Sequence, residues 1–459
     1  MAHAAYQARL LSLDSLPDLQ REMALLGADK GGITIMAAKG VIRLIRVEQI
    51  PTQAANIIKQ EILARGGDLA TPWSAAAFAE PRVDVIFIGT VNTLRSTISK
   101  LYRQRVFDLP AIADAVQQVL IRTTPGYLPV ARQPSRQGIV VEETLDDLAG
   151  GRLPLEPHSH RATGLPTLMP LGKAEWEFGR RTYAAVSLTP RAVLQDEAAS
   201  AADAASAGAD IFALEADASS TSPNTVAAAT RLLQQRCPGI PVAVRAGSAV
   251  MAEAALQAGA AILHLLTSDC ETGGRLGAPW PADVLRAAAG TEVLVVLPHA
   301  PAEPVEGDLL TAMAGHFHQA IGAALAEGFR EEQLILDVGL ARGKTPGQDR
   351  EVLQRLRELT SFGRPLLVDL SPAAAQWGES HTGYGAAQPA AGRTLCTGAA
   401  AAALAAARGA DFLVIPNQPE LMAAVRTADW LTRHTDRHSQ ENRDRGKGGG
   451  RHGCGQGKD

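Results

Sequence analysis

The sequence predicts an α/β protein in which a (β/α)8 TIM barrel is preceded by a smaller α/β domain. Eight short apolar runs recur between residues 176 and 433, and each is followed by a stretch with the spacing of a helix. Nearly continuous apolar strands are typical of parallel sheets that are covered on both faces. A doubly wound open sheet is the alternative, but eight evenly spaced repeats over the usual length of a barrel favour closure.

The N-terminal domain is predicted over residues 1–123. Its clearest strand is the apolar, β-branched run at residues 83–90. Its clearest helix lies within residues 54–68, where three isoleucines and a leucine share one stripe. Gly66 and Gly67 are expected to end that helix.

The barrel domain is predicted over residues 176–433. Its eight strands are expected at residues 182–188, 210–216, 241–246, 261–266, 292–297, 333–339, 365–371 and 411–416. In two other segments the apolar residues do not recur with the spacing of a strand or a helix. Residues 124–175, rich in Pro, Gly, Arg and His, are predicted to be a linker. Residues 434–459 are Gly-rich and charged, and they are predicted to be a disordered tail because they offer little to bury.

Composition and charge exclude several functional classes. The 459 residues are 46% hydrophobic and 20% charged, which is ordinary for a globular protein with sizeable cores. Basic residues number 44 and acidic residues 48, so no basic excess indicates a nucleic-acid partner. No apolar run has the length of a membrane span, the first residues lack a signal-peptide pattern, and the four cysteines are scattered. We therefore expect a cytoplasmic protein with neither a nucleic-acid nor a membrane partner.

Two motifs stand at the ends of predicted barrel strands: LILDVGLARGKT at residues 334–345 and AAVSLTP at residues 184–190. They resemble ILDPGIGFGKT and GILNVTP of dihydropteroate synthase, the pterin-binding barrel of folate synthesis. Residues 393–415 resemble the block that leads into the family's last strand. The N-terminal region resembles an extra domain of some bacterial members, so the resemblance covers roughly residues 20–120 and 180–432.

The resemblance implies a transferase that joins 4-aminobenzoate to a hydroxymethyl-dihydropterin diphosphate with the help of magnesium. Such a reaction needs a carboxylate to hold the pterin edge, and cationic groups with a metal to stabilise the leaving diphosphate. The positions that match the family's ligand-binding motifs are Asp337, Gly339, Gly343, Lys344, Ser371 and Thr189. No residue is assigned as catalytic or as a metal ligand.

Most other family positions are substituted. The family asparagine that contacts the metal and diphosphate is Ser187 in this sequence, so the magnesium implied by the resemblance lacks that ligand. Arg245 replaces an aspartate at the end of the third strand, and His264 replaces an asparagine at the end of the fourth. The family's cationic positions carry uncharged residues, namely Ser220, Ala373, Val414 and Pro416. These substitutions predict impaired catalysis.

Charged and imidazole side chains near the strand ends are candidates for a plugged or repurposed site. They are Arg245, His264, His299, Asp369 and Asp217. We expect Arg245 to form a salt bridge with Asp337 or Asp369 in the space of the pterin edge, because a buried guanidinium needs a carboxylate. For Asp337 itself, pairing with Arg245 is favoured over pterin binding. Together with Glu215, these imidazoles and carboxylates would also suit a new acid–base or metal site.

These observations predict a dihydropteroate-synthase-like, folate-pathway protein with impaired catalysis that acts as a pterin-binding or partner protein. The first alternative is an active synthase that uses a rearranged site. The second is a regulatory protein that binds a small molecule unrelated to folate. The expected ligand is pterin-like, and the family resemblance also implies a homodimer formed through barrel helices.

Overall fold

The computed structural model forms two compact units, residues 1–164 and 165–459. The residues that it describes are 11, 13, 15–131, 169–171, 174–176, 181–195, 204–205, 208–215, 221–266, 282–372, 377 and 390–433. The first unit contains a three-stranded sheet, and the second contains a closed barrel. The domain boundaries predicted at residues 123, 175 and 433 remain predictions, and the predicted tail lies outside the described residues.

The first unit packs helices against an antiparallel sheet with strand order β1-β3-β2. The strands are β1 (Ile42–Pro51), β2 (Asp68–Ala70) and β3 (Arg82–Thr90). The helices are α1 (Leu16–Leu25), α2 (Lys30–Gly40), α3 (Thr52–Leu63), α4 (Trp73–Ala76), α5 (Val91–Tyr102) and α6 (Leu109–Thr123). The strand predicted at residues 83–90 is therefore confirmed as β3, and the predicted helix is α3, which ends before Gly66.

Side-chain alternation decides which face of this sheet is covered. Val85 and Phe87 on β3 are buried together with Ile58 and Ile62 on α3. Residues between the buried positions of β3, such as Ile86, point to the opposite face and are more exposed. A period of two places every second residue on one face, so the apolar pattern of β3 fixes its orientation.

A short hairpin lies inside the segment predicted as a linker. β4 (Met169–Leu171) pairs with β5 (Ala174–Trp176) in antiparallel register. Tyr127, also in that segment, is buried in the core of the first unit. Parts of the segment predicted as a linker are thus paired or packed at both of its ends, and the assignment of residues 124–175 as a linker stays a prediction. Strands of three residues are too short to produce a recognisable period in the sequence.

The second unit is the eight-stranded parallel barrel that the sequence predicts. Its strands are β6 (Tyr183–Leu188), β7 (Ile211–Leu214), β8 (Val242–Ala246), β9 (Ile262–Leu265), β10 (Leu294–Pro298), β11 (Leu334–Asp337), β12 (Leu366–Asp369) and β13 (Phe412–Pro416). They close in the order β10-β11-β12-β13-β6-β7-β8-β9. Each strand falls on its predicted apolar run, so the fold class is confirmed.

Helices follow the barrel strands. Their bounds are α7 (Pro190–Leu194), α8 (Pro223–Arg236), α9 (Ala249–Gln257), α10 (Ala282–Ala288), α11 (Leu309–Ala326), α12 (Pro346–Leu359), α13 (Ala390–Ala407) and α14 (Pro419–Arg433). Short 3-10 turns at Glu331–Gln333 and Thr360–Phe362 precede β11 and β12. Five of these helices are preceded by a residue whose side chain accepts a backbone N–H of the first turn. These residues are Thr189, Ser222, Ser248, Asp308 and Thr345. Such N-caps satisfy otherwise unpaired donors of the first turn.

The inside of the barrel is an apolar layer. It consists of Tyr183, Ala185, Ile211, Ala213, Ile262, Leu294, Val296, Ile335, Leu367, Phe412 and Val414. Polar side chains are therefore concentrated above this layer, at the carboxyl ends of the strands. None of the helices in the described parts of the chain combines the length and the apolar character that a membrane crossing requires.

Candidate functional site: a buried charge network at the barrel mouth

Five strands contribute polar side chains to the mouth of the barrel. Glu215 directly follows β7, Arg245 lies in β8, His264 in β9, and Asp337 and Asp369 end β11 and β12. Parallel barrel strands all end at one rim, and side chains from distant parts of the chain meet there. All but Glu215 are less than a tenth exposed, so their charges must be balanced within the protein.

Arg245 bridges two carboxylates. Its Nη1 donates to Glu215 Oε2 at 2.5 Å, and its Nη2 donates to Asp369 Oδ2 at 2.7 Å. The salt bridge predicted between Arg245 and Asp337 or Asp369 is therefore confirmed, with Asp369 as the partner. Because Asp369 is fully buried, the guanidinium replaces the hydration that its carboxylate has lost.

Burial and ion pairing have opposite effects on the pKa values of this network. Burial raises the pKa of Glu215, and the nearby Arg245 offsets only part of that rise. Burial would also raise the pKa of Asp369, but Arg245 and Arg342 hold it below its usual value. For Arg245, burial would lower the pKa, but Glu215 and Asp369 raise it. Glu215 is thus more easily protonated than Asp369.

Asp337 has a different partner from the one that the sequence favours. His264 Nε2 lies 3.0 Å from Asp337 Oδ2, and the backbone N–H of Gly339 donates to Oδ1 at 2.8 Å. The expected pairing of Asp337 with Arg245 is wrong, because Glu215, directly after the neighbouring strand β7, takes the second side of the guanidinium. Burial, followed by Arg245, lowers the pKa of His264, so the imidazole is neutral and donates from Nε2.

Hydrogen bonds keep Asp337 ionised. Burial by itself would raise its pKa, but the hydrogen bond from His264, the charge of Arg342 and the Gly339 N–H hold it below its usual value. Asp337 is therefore an ionised, wholly buried acceptor. Its two oxygens already accept from a side chain and from the backbone.

The loop after β11 depends on two glycines. Gly339 and Gly343 both have a φ of 62°, in the left-handed region. A Cβ on Gly339 would lie 2.1 Å from the carbonyl oxygen of His299, and one on Gly343 would lie 1.5 Å from that of Pro301. In this chain, glycine is needed at both positions because the backbones of two loops come into close contact there.

Lys344 ties the same two loops together. Its Nζ donates to the carbonyl oxygens of His299 at 2.6 Å, Gly339 at 2.8 Å and Arg342 at 3.4 Å. The residue is 6% exposed. An ammonium group has three protons to donate, and these carbonyls are suited to take them.

His299 is buried behind the charge network rather than within it. Its ring stacks edge-on against His316, with centroids 4.9 Å apart. Burial, with help from the Lys344 charge and His316, lowers the pKa of His299 to about 2. The side chain is therefore a neutral packing element, and its contacts give no support to a place in the predicted acid–base site.

The other candidate positions do not all contact the network. Ser371 donates its backbone N–H to Asp369 Oδ1 at 3.0 Å, at the edge of the network. Thr189 is exposed and caps α7 by accepting from the Ala192 N–H at 3.2 Å. Asp217 lies outside the described residues, as do the substituted positions Ser220 and Ala373.

Two residues of the site were not singled out by the sequence. Arg342 Nη2 donates to Asp369 Oδ2 at 3.1 Å, so two guanidiniums share one carboxylate oxygen. Asp349, on α12, accepts the Ala341 N–H at 3.0 Å and so anchors the loop that carries Arg342. The position of Arg342 inside the motif after β11 is the signal that could have found it.

A small cavity lies beneath the network, lined by the apolar inner layer together with Glu215, Arg245 and His264. Its volume of about 20 Å³ has room for about one water molecule. A bicyclic pterin ring does not fit in it. A ring that enters this cavity must therefore displace some of the side chains that line it.

The donor set does not fit the magnesium ion that the family resemblance implies. Ser187 offers a hydroxyl in place of an amide, and it pairs in register with Pro416 on β13. Among the described residues, no three His, Cys, Asp or Glu side chains are grouped so that they could hold a metal ion. The carboxylates of the mouth are engaged by guanidiniums or by an imidazole instead.

Comparison with known proteins gives a consistent relationship. A family model described as pterin binding enzyme matches residues 193–415. The chain is 25% identical to a probable bifunctional folylpolyglutamate synthase/dihydropteroate synthase of Halobacterium salinarum over 432 residues, which are 91% of this chain and 46% of that protein. It is 32% identical to the dihydropteroate synthase of Synechocystis sp. over 136 residues, 28% of this chain and 44% of that one. The chain spans about half the length of these curated relatives.

Two solved structures are similar to this chain. The dihydropteroate synthase of Xanthomonas albilineans in complex with 7,8-dihydropteroate is 22% identical, with a TM-score of 0.48, and the match covers 58% of this chain and 98% of that one. The Yersinia pestis enzyme is 23% identical, with a TM-score of 0.47 and the same coverage of both chains.

Proposed function

Because the barrel belongs to the pterin binding enzymes, the family of the dihydropteroate synthases, we propose that this protein is a catalytically impaired, folate-pathway-related member. It acts by binding a pterin-like ligand or a partner protein. The observation that carries the proposal is the Glu215–Arg245–Asp369 network at the mouth, in which Arg245 stands where the family motif has an aspartate.

Two cations of the described mouth are already committed within the protein. Arg245 is held by two carboxylates, and Lys344 donates to three backbone carbonyls. A leaving diphosphate needs preorganised positive charge that becomes available to it in the transition state. Releasing Arg245 for that purpose would leave Asp369 buried without its principal partner, which is costly.

The first and last barrel strands support the same conclusion. Val414 is a buried residue of the apolar inner layer, and Pro416 pairs in register with Ser187. None of these three side chains carries a positive charge. Where the family motifs place an asparagine, an arginine and a histidine, this chain therefore has no cation to face a diphosphate.

Asp337 supports the ligand-binding part of the proposal. An ionised carboxylate can accept the N–H donors on the edge of a pterin-like ring. His264 occupies one of its oxygens in this structure, and Arg245 and Glu215 close the space beside it. Binding therefore requires His264 and the Arg245 network to move aside, which lowers the apparent affinity for a ligand.

The test is an assay of the purified full-length chain with 4-aminobenzoate and hydroxymethyl-dihydropterin diphosphate. We expect no condensation above the uncatalysed rate, because each lost polar contact of a preorganised site costs about 2–4 kcal/mol of transition-state stabilisation. Calorimetry with the same pterin diphosphate measures binding separately. Condensation activity that is abolished by Asp337→Ala would overturn the proposal that catalysis is impaired.

The His264–Asp337 pair favours one second candidate, an active synthase with a rearranged site. A neutral imidazole beside an ionised carboxylate is an arrangement able to move a proton. Under this reading His264→Asn, which introduces the family's residue, lowers condensation activity rather than leaving it at background. If the pterin diphosphate neither reacts nor binds, the remaining reading is a regulatory protein for a ligand unrelated to folate.

Partner and location are further parts of the proposal. Residues 397–407 of the Ala-rich segment 397–408 lie in α13, which is first of all a core helix, since Ala401, Ala402, Ala405 and Ala406 pack in the barrel core. The proposal of a homodimer through barrel helices therefore rests on the family resemblance. Light scattering of the purified chain tests the homodimer, and cell fractionation tests the cytoplasmic location.

A further inference from the structure

The sheet of the first unit has an open edge at β1. β1 is the end strand in the order β1-β3-β2, and among the described residues it pairs with β3 alone. Just before the strand, the Val91 N–H donates to the Val41 carbonyl at 2.9 Å, and hydrogen-bonded pairs alternate along an antiparallel ladder. The backbone N–H and C=O groups of Ile42 and Leu44 are therefore directed away from β3. Such an edge is a template for a further strand.

The face of β1 that lies opposite the helices is apolar. Ile42 is 59% exposed and Leu44 is 68% exposed. On β3, Ile86 is 37% exposed, and Ile88 lies opposite Leu44 in the ladder. Apolar side chains that are exposed together mark a contact surface.

Guanidiniums lie at the same end of β1 as these apolar side chains. Arg43 Nη1 donates to the Ile42 carbonyl oxygen at 3.0 Å, and Arg43 Nε donates to Thr124 Oγ1 at 3.1 Å. Arg122 lies in the last turn of α6, two residues before Thr124. Farther along the strand, Arg46 is offset by two acids, at 3.1 and 3.5 Å. The end of β1 near Ile42 therefore favours an acidic partner.

One segment of this chain has the sequence that such an edge requires. Residues 138–147, in the predicted linker, read GIVVEETLDD. Ile139 to Val141 are consecutive β-branched residues, which are enriched in strands. Within the next six residues there are no basic side chains and four acids, Glu142, Glu143, Asp146 and Asp147. The first compact unit, which runs to residue 164, includes this segment.

The chain is long enough for this segment to reach β1. The side chain of Gln117 on α6 holds the Val130 backbone through two hydrogen bonds, of 2.7 and 3.1 Å. From Gln117 to Thr124, which bonds to Arg43, the helix rises about 10 Å. From Val130 to Ile139, an extended chain spans about 30 Å. The available length therefore exceeds the distance to be covered.

We propose that residues 139–143 add to the outer edge of β1 as a further strand. In this arrangement the apolar run packs beside Ile42 and Leu44, and the acids that follow it face Arg43 and Arg122. This is β-strand addition by a segment of the chain itself, in which main-chain hydrogen bonds give the affinity. The added strand also keeps the edge from pairing with a second copy. The inference concerns the first unit and is independent of the function proposed for the barrel mouth.

Hydrogen exchange of the full-length chain, resolved to single amides by mass spectrometry, tests the added strand. We expect the Leu44 amide to exchange about tenfold or more faster in Val141→Asp than in the wild type, because a charge in the apolar run releases the strand. The Ile45 amide, which faces β3 in the alternation, should keep its rate. Glu142→Gln combined with Glu143→Gln leaves the β-branched run intact and should accelerate the Leu44 amide about threefold to tenfold.

Leu153→Asp is the matched control, because it places the same charge at an apolar position of the same segment, outside the proposed strand. It should leave the Leu44 amide unchanged. An equal rate at Leu44 in the wild type and Val141→Asp would overturn the added strand, as would equal acceleration by Leu153→Asp. Slow exchange that is independent of Val141 and strengthens with protein concentration would assign the edge to a second copy and reject the proposal. If Val141→Asp does not fold, the paired glutamine variant decides by the same comparison.

Discussion

At the scale of single residues, Arg245 shows how one substitution changes what a barrel mouth can hold. Its guanidinium neutralises Asp369 and contacts Glu215 at the same time. Removing one partner of a buried ion pair is far more costly than replacing the whole pair, because the remaining charge stays without water. The side chain therefore contributes to stability even though it occupies a position suited to ligand recognition.

Arg245→Ala is expected to lower the free energy of unfolding by about 3–5 kcal/mol, because it leaves Asp369 buried and less well compensated. Urea denaturation at neutral pH measures this. The matched control is Arg355→Ala, which breaks exposed pairs and should cost less than about 1 kcal/mol. Equal losses in both variants would show that the network is not a stabilising element.

Asp349 is expected to make stability depend on pH. Burial is the main reason that its pKa is raised from an ordinary 3.8 to about 6. Between those values the folded chain binds this proton more tightly than the unfolded chain, so the contribution of Asp349 to stability falls as pH rises. Relative to Asp349→Asn, the unfolding free energy of the wild type should fall by about 2–3 kcal/mol between pH 4 and 6.5. A difference that stays constant across this range would contradict the shifted pKa.

At the scale of elements, the loop between β11 and α12 brings the site together. Its glycines allow close contact with the loop after β10, Lys344 bonds to carbonyls of both loops, and Asp349 fixes it to the following helix. The same loop carries Arg342 to Asp369. Its backbone conformation thus decides where the second guanidinium lies.

Gly343→Ala tests this loop. The new Cβ would lie 1.5 Å from the Pro301 carbonyl oxygen at a φ of 62°, so the two loops must separate. We expect a loss of about 2–4 kcal/mol in the free energy of unfolding, measured by denaturant titration. Gly307→Ala is the control, because its φ is 83° but no atom lies within 4 Å, and it should cost about 1 kcal/mol. Similar losses would indicate that backbone conformation alone, and not loop contact, requires Gly343.

At the scale of the whole molecule, stability comes from three clusters of buried apolar residues, divided between the two units. One cluster of buried apolar residues lies in the N-terminal unit, and two others lie inside and outside the barrel sheet. The barrel is closed by hydrogen bonds between all neighbouring strands, which leaves its sheet without an edge. Segments with few apolar residues should therefore add little to the stability of either unit.

Removal of residues 434–459 is expected to leave the melting temperature unchanged within about 1–2 °C. This segment is rich in Gly, Arg, His and Asp and offers little apolar area to bury. Calorimetric melting of the full chain and of a chain ending at Arg433 measures the difference. A fall of several degrees would mean that the tail packs against the folded chain.

The sequence by itself determined the strands, the barrel and the need of Arg245 for a carboxylate. Strand periodicity and the cost of an unpaired buried charge are local properties, so they can be read from neighbouring residues. Only the tertiary structure decided which carboxylates pair with Arg245, that His264 rather than Arg245 holds Asp337, and that Arg342 joins the network. Arg245 and Asp369 are 124 residues apart, and closure of the barrel is what brings them within 2.7 Å. The distances between strand ends depend on the register of all eight strands, which no local pattern specifies.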